Sequence, residues 1–407
     1  MKVVPLAERA TLGALLLQDP LGPAIPIASC AVNSVAAPGR GAGAGADMLG
    51  WLRPQDFADP WHREVYATIR AHAAAGDTVR AEAAGLDLLR RLGPTRAQVV
   101  RVAGLLHDLP PGAQAATYAV MVLEAALRRE VTAHGVLLQA AALQCALDGS
   151  ARPMTAITAV VDAALEQGMQ RWAAATGQTA MGQSATGRSP ACPGRTSAAR
   201  EPVAVRSAVA RLESSYGADR LLAAHPPLTP GQIAEHEATL IAALIAHPQR
   251  IGASAAGWLR PDTVTNRAWR PVYESVLRLH TEGRRIDAVT VFWETQRASR
   301  AAGRGPDPAA GVAAVERART ADPDYWARVV SADHLRLAAD RAADSLRTAA
   351  ANPGLDLAQV FSTGHILTQA LSTAARPLEP PAADRRGLAT VHALPDRQTR
   401  RAGPVAG

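Results

Sequence analysis

The residues best suited to chemistry in this chain are few, and none stands in a spacing that completes a site. The run Gly39–Gly45 (GRGAGAG) has the composition of a phosphate cradle. A nucleotide-binding loop, GxxxxGK[ST], also needs a lysine for the phosphates and a place between a strand and a helix. Lys2 is the only lysine, so ATP hydrolysis is not expected. His107-Asp108 has the form of a metal-binding pair, but such a site needs further His and Asp ligands from neighbouring helices. His62, His72 and His134 could join it only if the fold gathered them. Cys30, Cys145 and Cys192 are odd in number and unrelated in spacing, which indicates neither a zinc site nor a disulfide framework. The expectation is a protein with no catalytic residue, no cofactor and no metal, and not an enzyme.

The elements that would carry these residues are helical. Apolar residues make up 48% of the chain and aromatics only 4%, with alanine dominant. Alanine loses no side-chain entropy in a helix, whereas strands want alternating β-branched and aromatic residues, which are missing here. The expected fold class is all-α. The formal charge of +7 is carried almost wholly by arginine. Arginine forks match phosphate oxygens, but these are scattered and define no stripe. The Arg128-Arg129 pair reads as a solvated helix face. The N-terminus lacks the layout of a signal peptide, and no apolar stretch is long enough to span a bilayer, so a cytoplasmic location is expected.

The chain resembles itself. Residues 50–66 read GWLRPQDFADPWHREVY and residues 257–273 read GWLRPDTVTNRAWRPVY, identical at eight of seventeen positions without a gap. The offset of 207 also pairs Gly76 with Gly283 and Tyr118 with Tyr325; upstream, Ala10-Thr11-Leu12 pairs with Ala238-Thr239-Leu240. Ordered matches across both halves indicate an internal duplication.

Each copy has the same grammar. A first helix is expected over 6–18 and 231–246, then a Trp-Leu-Arg-Pro turn. In the first copy Asp59-Pro60 starts the next helix and Gly76 ends it. In the second, Asn266 supplies the cap, and Pro271 makes the helix begin late or bend. Trp51, Trp258, Tyr66 and Tyr273 read as core anchors. Each copy closes in a helical hairpin: 114–147 and from Pro153 onward, then 323–351 and from Leu357 onward, with breaks at Asp148-Gly149 and Asn352-Pro353-Gly354. The apolar stripes are Ile157, Val160, Val161, Leu165, Met169 and Trp172 in one hairpin, and Leu357, Val360, Phe361, Leu367 and Leu371 in the other, at helical spacing. Residues 20–47 read as a surface loop or a disordered stretch. Residues 176–228 read as a flexible linker with a short helix near Val209–Leu222, and 377–407 as a disordered basic tail.

This layout resembles the N-terminal domain of DnaB-type replicative helicases. That family has an early helix E-x-x-L-L-G-x-L-L-x-x-P, matched by Glu8 through Leu16 and on to Pro20, and a later helix matched by Phe57 and His62-Arg63-Glu64-Val65-Tyr66. The segment Gly283–Thr290 is similar to the family turn that follows. Trp269 replaces His62 in the second copy, so this histidine cannot serve both. The resemblance covers residues 1–175 and 229–376, as two tandem copies without the ATPase motor. It implies a helical head followed by a hairpin, no catalytic residues, collar packing against neighbouring subunits, and a docking surface for primase or loader proteins. The expected function is a replication-associated interaction protein of primosome type that binds a replicative helicase, a primase or itself. The hairpin stripes would pair within the chain, with Trp172 and Phe361 as anchors. The alternatives are an accessory protein that binds nucleic acid through its arginines, or a degenerate helicase remnant.

Overall fold

The structure, a computed structural model, describes residues 4–17, 44–77, 80–97, 99–107, 109, 114–177, 215–254, 259–299 and 307–379. Every regular element among them is helical, so the fold is all-α. Most of the linker, the basic tail from residue 380, and nearly all of the 20–47 segment lie outside the described residues.

The first half contains α1 (Val4–Leu16), α2 (Ala44–Trp51), α3 (Pro60–Ala75), α4 (Ala81–Leu92), α5 (Pro94–Ala97), α6 (Val99–His107), α7 (Ala115–Asp148) and α8 (Arg152–Thr176). A short helix, α9 (Ser215–Ala224), stands near the end of the linker segment, overlapping the one expected there. The second half contains α10 (Pro230–Ala246), α11 (Ile251–Ser254), α12 (Arg270–Thr281), α13 (Ala288–Ser299), α14 (Pro308–Arg317), α15 (Pro323–Ala351) and α16 (Leu357–Ala375).

Local chemistry sets the ends of these helices. Asp59 caps α3 by accepting the Trp61 amide at 2.7 Å, and Gly76 closes it at φ 78°, a left-handed conformation that suits glycine. Thr229 and Gln232 form a reciprocal capping box on α10. Asn266 accepts the Ala268 and Trp269 amides at 3.1 and 3.2 Å, but the helix proper begins only at Arg270. Pro271 in the first turn donates no amide, so a late start leaves no backbone bond unmade there.

The residues form two compact units. The first takes Met1–Leu138, Ile157–Ala218 and Asp340–Ala370. It holds the head built from α1, α3, α4 and α6, the head-proximal parts of α7 and α8, and the turn region of the second hairpin. The second takes Gln139–Ala156, Asp219–Ala339 and Leu371–Gly407. It holds a head built from α10, α12, α13 and α14, the head-proximal part of α15, and the turn region of the first hairpin. Each unit therefore draws on both halves of the sequence, a division different from the sequential segments 1–175 and 229–376. Helix length makes this possible. At 34 residues α7 extends about 50 Å, well past one head.

In the first head, α1 crosses α6 so closely that a Cβ on Gly13 would lie 2.4 Å from the Leu105 carbonyl oxygen. Leu12, Leu52, Phe57, Val65, Tyr66, Ile69 and Leu88 fill its core. In the second head Leu240, Ile241, Leu244, Val264, Val272, Tyr273, Val276 and Val291 do the same.

Candidate functional site

The residues singled out for metal chemistry are not brought together. His107 closes α6, and Asp108 lies outside the described residues. His62 faces Glu8, His72 Nε2 lies 2.8 Å from Asp87, and the Nδ1 of His134 has no hydrogen-bond partner among the described residues. Among those residues no group of three His, Cys, Asp or Glu side chains could hold a metal. Cys145 is buried, and burial pushes its thiol up to about 12.

What the fold does gather is a set of buried polar joints. Glu8, on α1, is 1% exposed; it accepts the Ala58 and Asp59 amides and lies 2.7 Å from His62 Nδ1. Glu237, on α10, is fully buried. It accepts the Thr265 amide at 3.0 Å and the Asn266 amide at 2.7 Å, and faces His334 Nε2 at 2.6 Å. Each carboxylate thus binds the turn that leads into α3 or α12, through charge-assisted bonds to two consecutive amides. Burial works against the charge on Glu237, but the bonds from His334, Thr265 and Asn266 outweigh it and hold the carboxyl below the usual range.

These joints correct two expectations. The turns they hold, Ala58-Asp59 and Thr265-Asn266, are 207 residues apart, whereas the glutamates are 229 apart. Pairing Ala10-Thr11-Leu12 with Ala238-Thr239-Leu240 is therefore one residue out of register. A one-residue slip turns a helix by about 100°, so the buried anchor decides the register rather than a three-letter match. The replacement of His62 by Trp269 does not remove the imidazole either. His334, from α15, supplies it to Glu237 in the second head. No local pattern in the sequence marks His334 for that role.

The Trp-Leu-Arg-Pro turns are held from within. Tyr66 Oη donates to the Leu52 carbonyl at 3.4 Å, and Tyr273 Oη donates to that of Leu259 at 3.1 Å. Both rings are fully buried, and burial pushes both phenols up. Trp51 is buried as well, while Trp258 lies outside the described residues.

Of the Arg128-Arg129 pair, Arg129 is exposed and Arg128 is not. Arg128 is 6% exposed and donates to the carbonyls of Ala350, Asn352 and Leu355 at the turn of the second hairpin. Arg129 donates to the carbonyl of Asp56. Arg171, unmarked by any sequence pattern, is equally buried; it binds the Trp51 carbonyl at 3.0 Å and the buried carboxylate of Asp56. Arg128 and Arg171 serve the interior of the first unit, where backbone carbonyls converge on them.

Around Arg128 the hairpins meet through small residues. A Cβ on Gly135 would lie 3.2 Å from Ala343 Cα, and one on Gly168 3.1 Å from the Phe361 ring. Gly364 takes Leu165 in the same way, and Asp162 accepts from Thr368 Oγ1 at 2.6 Å. Ile157, Val161, Leu165, Leu357, Val360, Phe361 and Leu371 are buried, as the stripes require. Val160 is the exception at 43% exposed: three residues from Ile157 but adjacent to Val161, it turns off the buried face. Trp172, Met169 and Leu367 are half-buried.

The offset of 207 continues through the next head helix. Leu86, Asp87 and Arg90 on α4 correspond to Trp293, Glu294 and Arg297 on α13. Leu86 is 54% and Trp293 64% exposed, so both heads turn a large apolar side chain to solvent at the same helical position.

Residues 229–330 match the family model of the DnaB-like helicase N terminal domain. The match begins at the capping residue Thr229, covers α10 to α14 and ends within the first turns of α15. The second head is therefore similar to that domain, with Glu237, the Thr265-Asn266 turn and Tyr273 inside the matched segment. No curated protein and no solved structure matches the chain. No helix among the described residues is long and apolar enough to cross a membrane.

Proposed function

We propose that the chain is a non-catalytic, replication-associated interaction protein that carries two DnaB-like N-terminal heads on one polypeptide and binds a replicative helicase, a primase or another copy of itself. The observation that carries this reading is the repeated anchor: Glu8 and Glu237 hold equivalent turns by two consecutive amides each, and only the second lies in the matched segment. The equivalent Tyr66 and Tyr273 bonds support counting the first head as a second copy. A lone lysine at position 2 supports the non-catalytic reading, since a phosphate-binding loop needs one.

The test mixes the purified full-length chain with the replicative helicase and with the primase of the same cell, and follows each mixture by light scattering after size exclusion. A saturable complex with either, or a concentration-dependent rise in mass of the chain alone, is the expected result. ATP turnover by the chain itself should stay at background with and without single-stranded DNA. No complex in any mixture, together with turnover that co-purifies with the chain, would sink the reading.

A further inference from the structure

The outer face of α13 combines an exposed indole with arginines raised above a buried carboxylate. The helix turns Val291 and Phe292 inward, and Thr295 Oγ1 donates to Ser275 Oγ at 3.1 Å. The opposite side presents Val289, 74% exposed, and Trp293, 64% exposed, one turn apart. Beside them Glu294, with a side chain only 5% exposed, gathers three guanidiniums: Arg284 at 3.0 Å, Arg278 at 3.7 Å and Arg297 at 3.8 Å. Arg285 pairs with Asp287 at 3.0 Å, and Asp287 accepts the Thr290 amide at the start of α13, so its charge also serves the helix N-terminus. Arg284 also meets Glu282 at 3.3 Å. Four cations thus stand against three acids, but the layers differ. Arg297, beside the buried Glu294, and Arg285, beside Asp287, have side chains 70% and 87% exposed.

We infer that this face binds single-stranded nucleic acid, with one base stacked on Trp293 and the neighbouring phosphates met by Arg297, Arg285 and Arg284. The chemistry favours this occupant over a protein. Stacking one base needs a single aromatic face and cationic neighbours. A stable protein interface needs a broad, contiguous apolar centre, and here the large apolar side chains of α13 turned to solvent are Val289 and Trp293 alone, beside exposed Gln296 and Arg297. A guanidinium has five donors, and Glu294 shares two oxygens among three arginines, which leaves donors for phosphate oxygens. The first head is not equipped in the same way: Leu86 stands at the position of Trp293 and Glu82 at that of Val289.

The test is fluorescence anisotropy of a labelled thymidine oligonucleotide with the full-length chain, at several salt concentrations, beside the Trp293→Leu, Trp293→Phe and Arg285→Gln/Arg297→Gln variants. Trp293→Leu installs the residue of the first head and should weaken binding by about tenfold or more, while Trp293→Phe keeps most of it, because stacking needs the ring. The double arginine variant should lower the salt slope by about one to two, because each arginine that neutralises a phosphate releases about one counterion. Unlabelled single strands should compete better than duplex, whose bases are already stacked. All three positions are exposed, so thermal melts of the variants should overlay that of the parent protein. No oligonucleotide binding by the parent protein, equal binding by Trp293→Leu, or equal competition by duplex would overturn the inference. Loss of helicase or primase binding in Trp293→Leu with unchanged oligonucleotide binding would also overturn it, and would give the face to a protein partner.

Discussion

Arg128 Nη1 lies 2.9 Å from the carbonyl oxygen of Asn352, although the two residues are 224 apart in sequence. The same guanidinium reaches the Leu355 carbonyl at 2.8 Å and that of Ala350 at 3.3 Å. The last carbonyls of a helix have no partner within it, and a cation placed there meets both the hydrogen-bond need and the helix dipole. Arg128→Ala should cost about 3 kcal/mol, since charge-assisted bonds are worth roughly 1.5–3 kcal/mol each and the Ala350 carbonyl is left in a buried place. Arg128→Lys should recover less than half of it, because one ammonium cannot span three separated acceptors. Urea unfolding with an unchanged m-value measures both; an Arg128→Ala loss under about 0.5 kcal/mol would remove Arg128 from this role.

The Glu237 joint makes stability depend on acid. Burial opposes its charge, yet the bonds from His334, Thr265 and Asn266 leave the carboxyl lower in the folded chain than in the unfolded one. Such a group stabilises the fold above its unfolded value, near 4.5, and loses that contribution as pH falls through the lower folded value. Glu237→Gln should cost about 2 kcal/mol at neutral pH, because an amide cannot accept from all of these donors. The variant and parent curves should then converge as pH falls from the unfolded value through the lower folded one. Parallel curves across that range would contradict the assignment.

His134 works in a different window. Burial pushes it down to about 4 from an ordinary value near 6.5. The unfolded chain therefore takes up a proton first, and stability falls as pH drops from about 6.5 to 4. The shift caps the loss at about 3 kcal/mol, less for the partial exposure of the ring. Replacing the ring by His134→Gln should flatten this part of the pH profile and leave the profile above about pH 7 unchanged. A parent protein equally stable at about pH 7 and about pH 5 would show that the imidazole is not held neutral.

Phe361 and Trp172 separate core from surface within the hairpins. The Phe361 ring, 2% exposed, fills the space over Gly168, so Phe361→Ala should cost about 3–5 kcal/mol as a cavity. Its folded fraction should bind any partner normally. Trp172 is half-buried, and its truncation should cost visibly less. Val160→Ala, on the exposed side, should stay within about 0.5 kcal/mol of the parent protein. Denaturant midpoints rank the three, and an equal loss for Val160→Ala and Phe361→Ala would contradict the packing of α8 and α16.

Much of this fold was legible because its causes are local. Alanine content and helical periodicity determine the all-α class. Asp59-Pro60, Gly76, Asp148-Gly149 and Asn352-Pro353-Gly354 determine where helices start and stop, since a cap or a break acts within a turn of its own position. The burial of Ile157, Val161, Leu165 and Phe361 follows from spacing alone, and so does the core role of Tyr66 and Tyr273 in a repeated turn. Val160 shows the limit, because a stripe read at helical spacing admits edge residues that only packing can sort.

What the tertiary structure decided are pairings between distant segments whose partners have no side-chain identity to read. Arg128 and Arg171 find backbone carbonyls in the interior, and a carbonyl looks the same at every residue, so nothing in the sequence distinguishes them from solvated arginines. His334 reaches Glu237 from another helix, and the register of α1 against α10 is set by where two glutamates meet two turns. The compact units draw on both halves of the chain for a similar reason. Helices longer than a head can bury an apolar stripe against any complementary face, and the close approaches at Gly135, Gly168 and Gly364 decide which face that is.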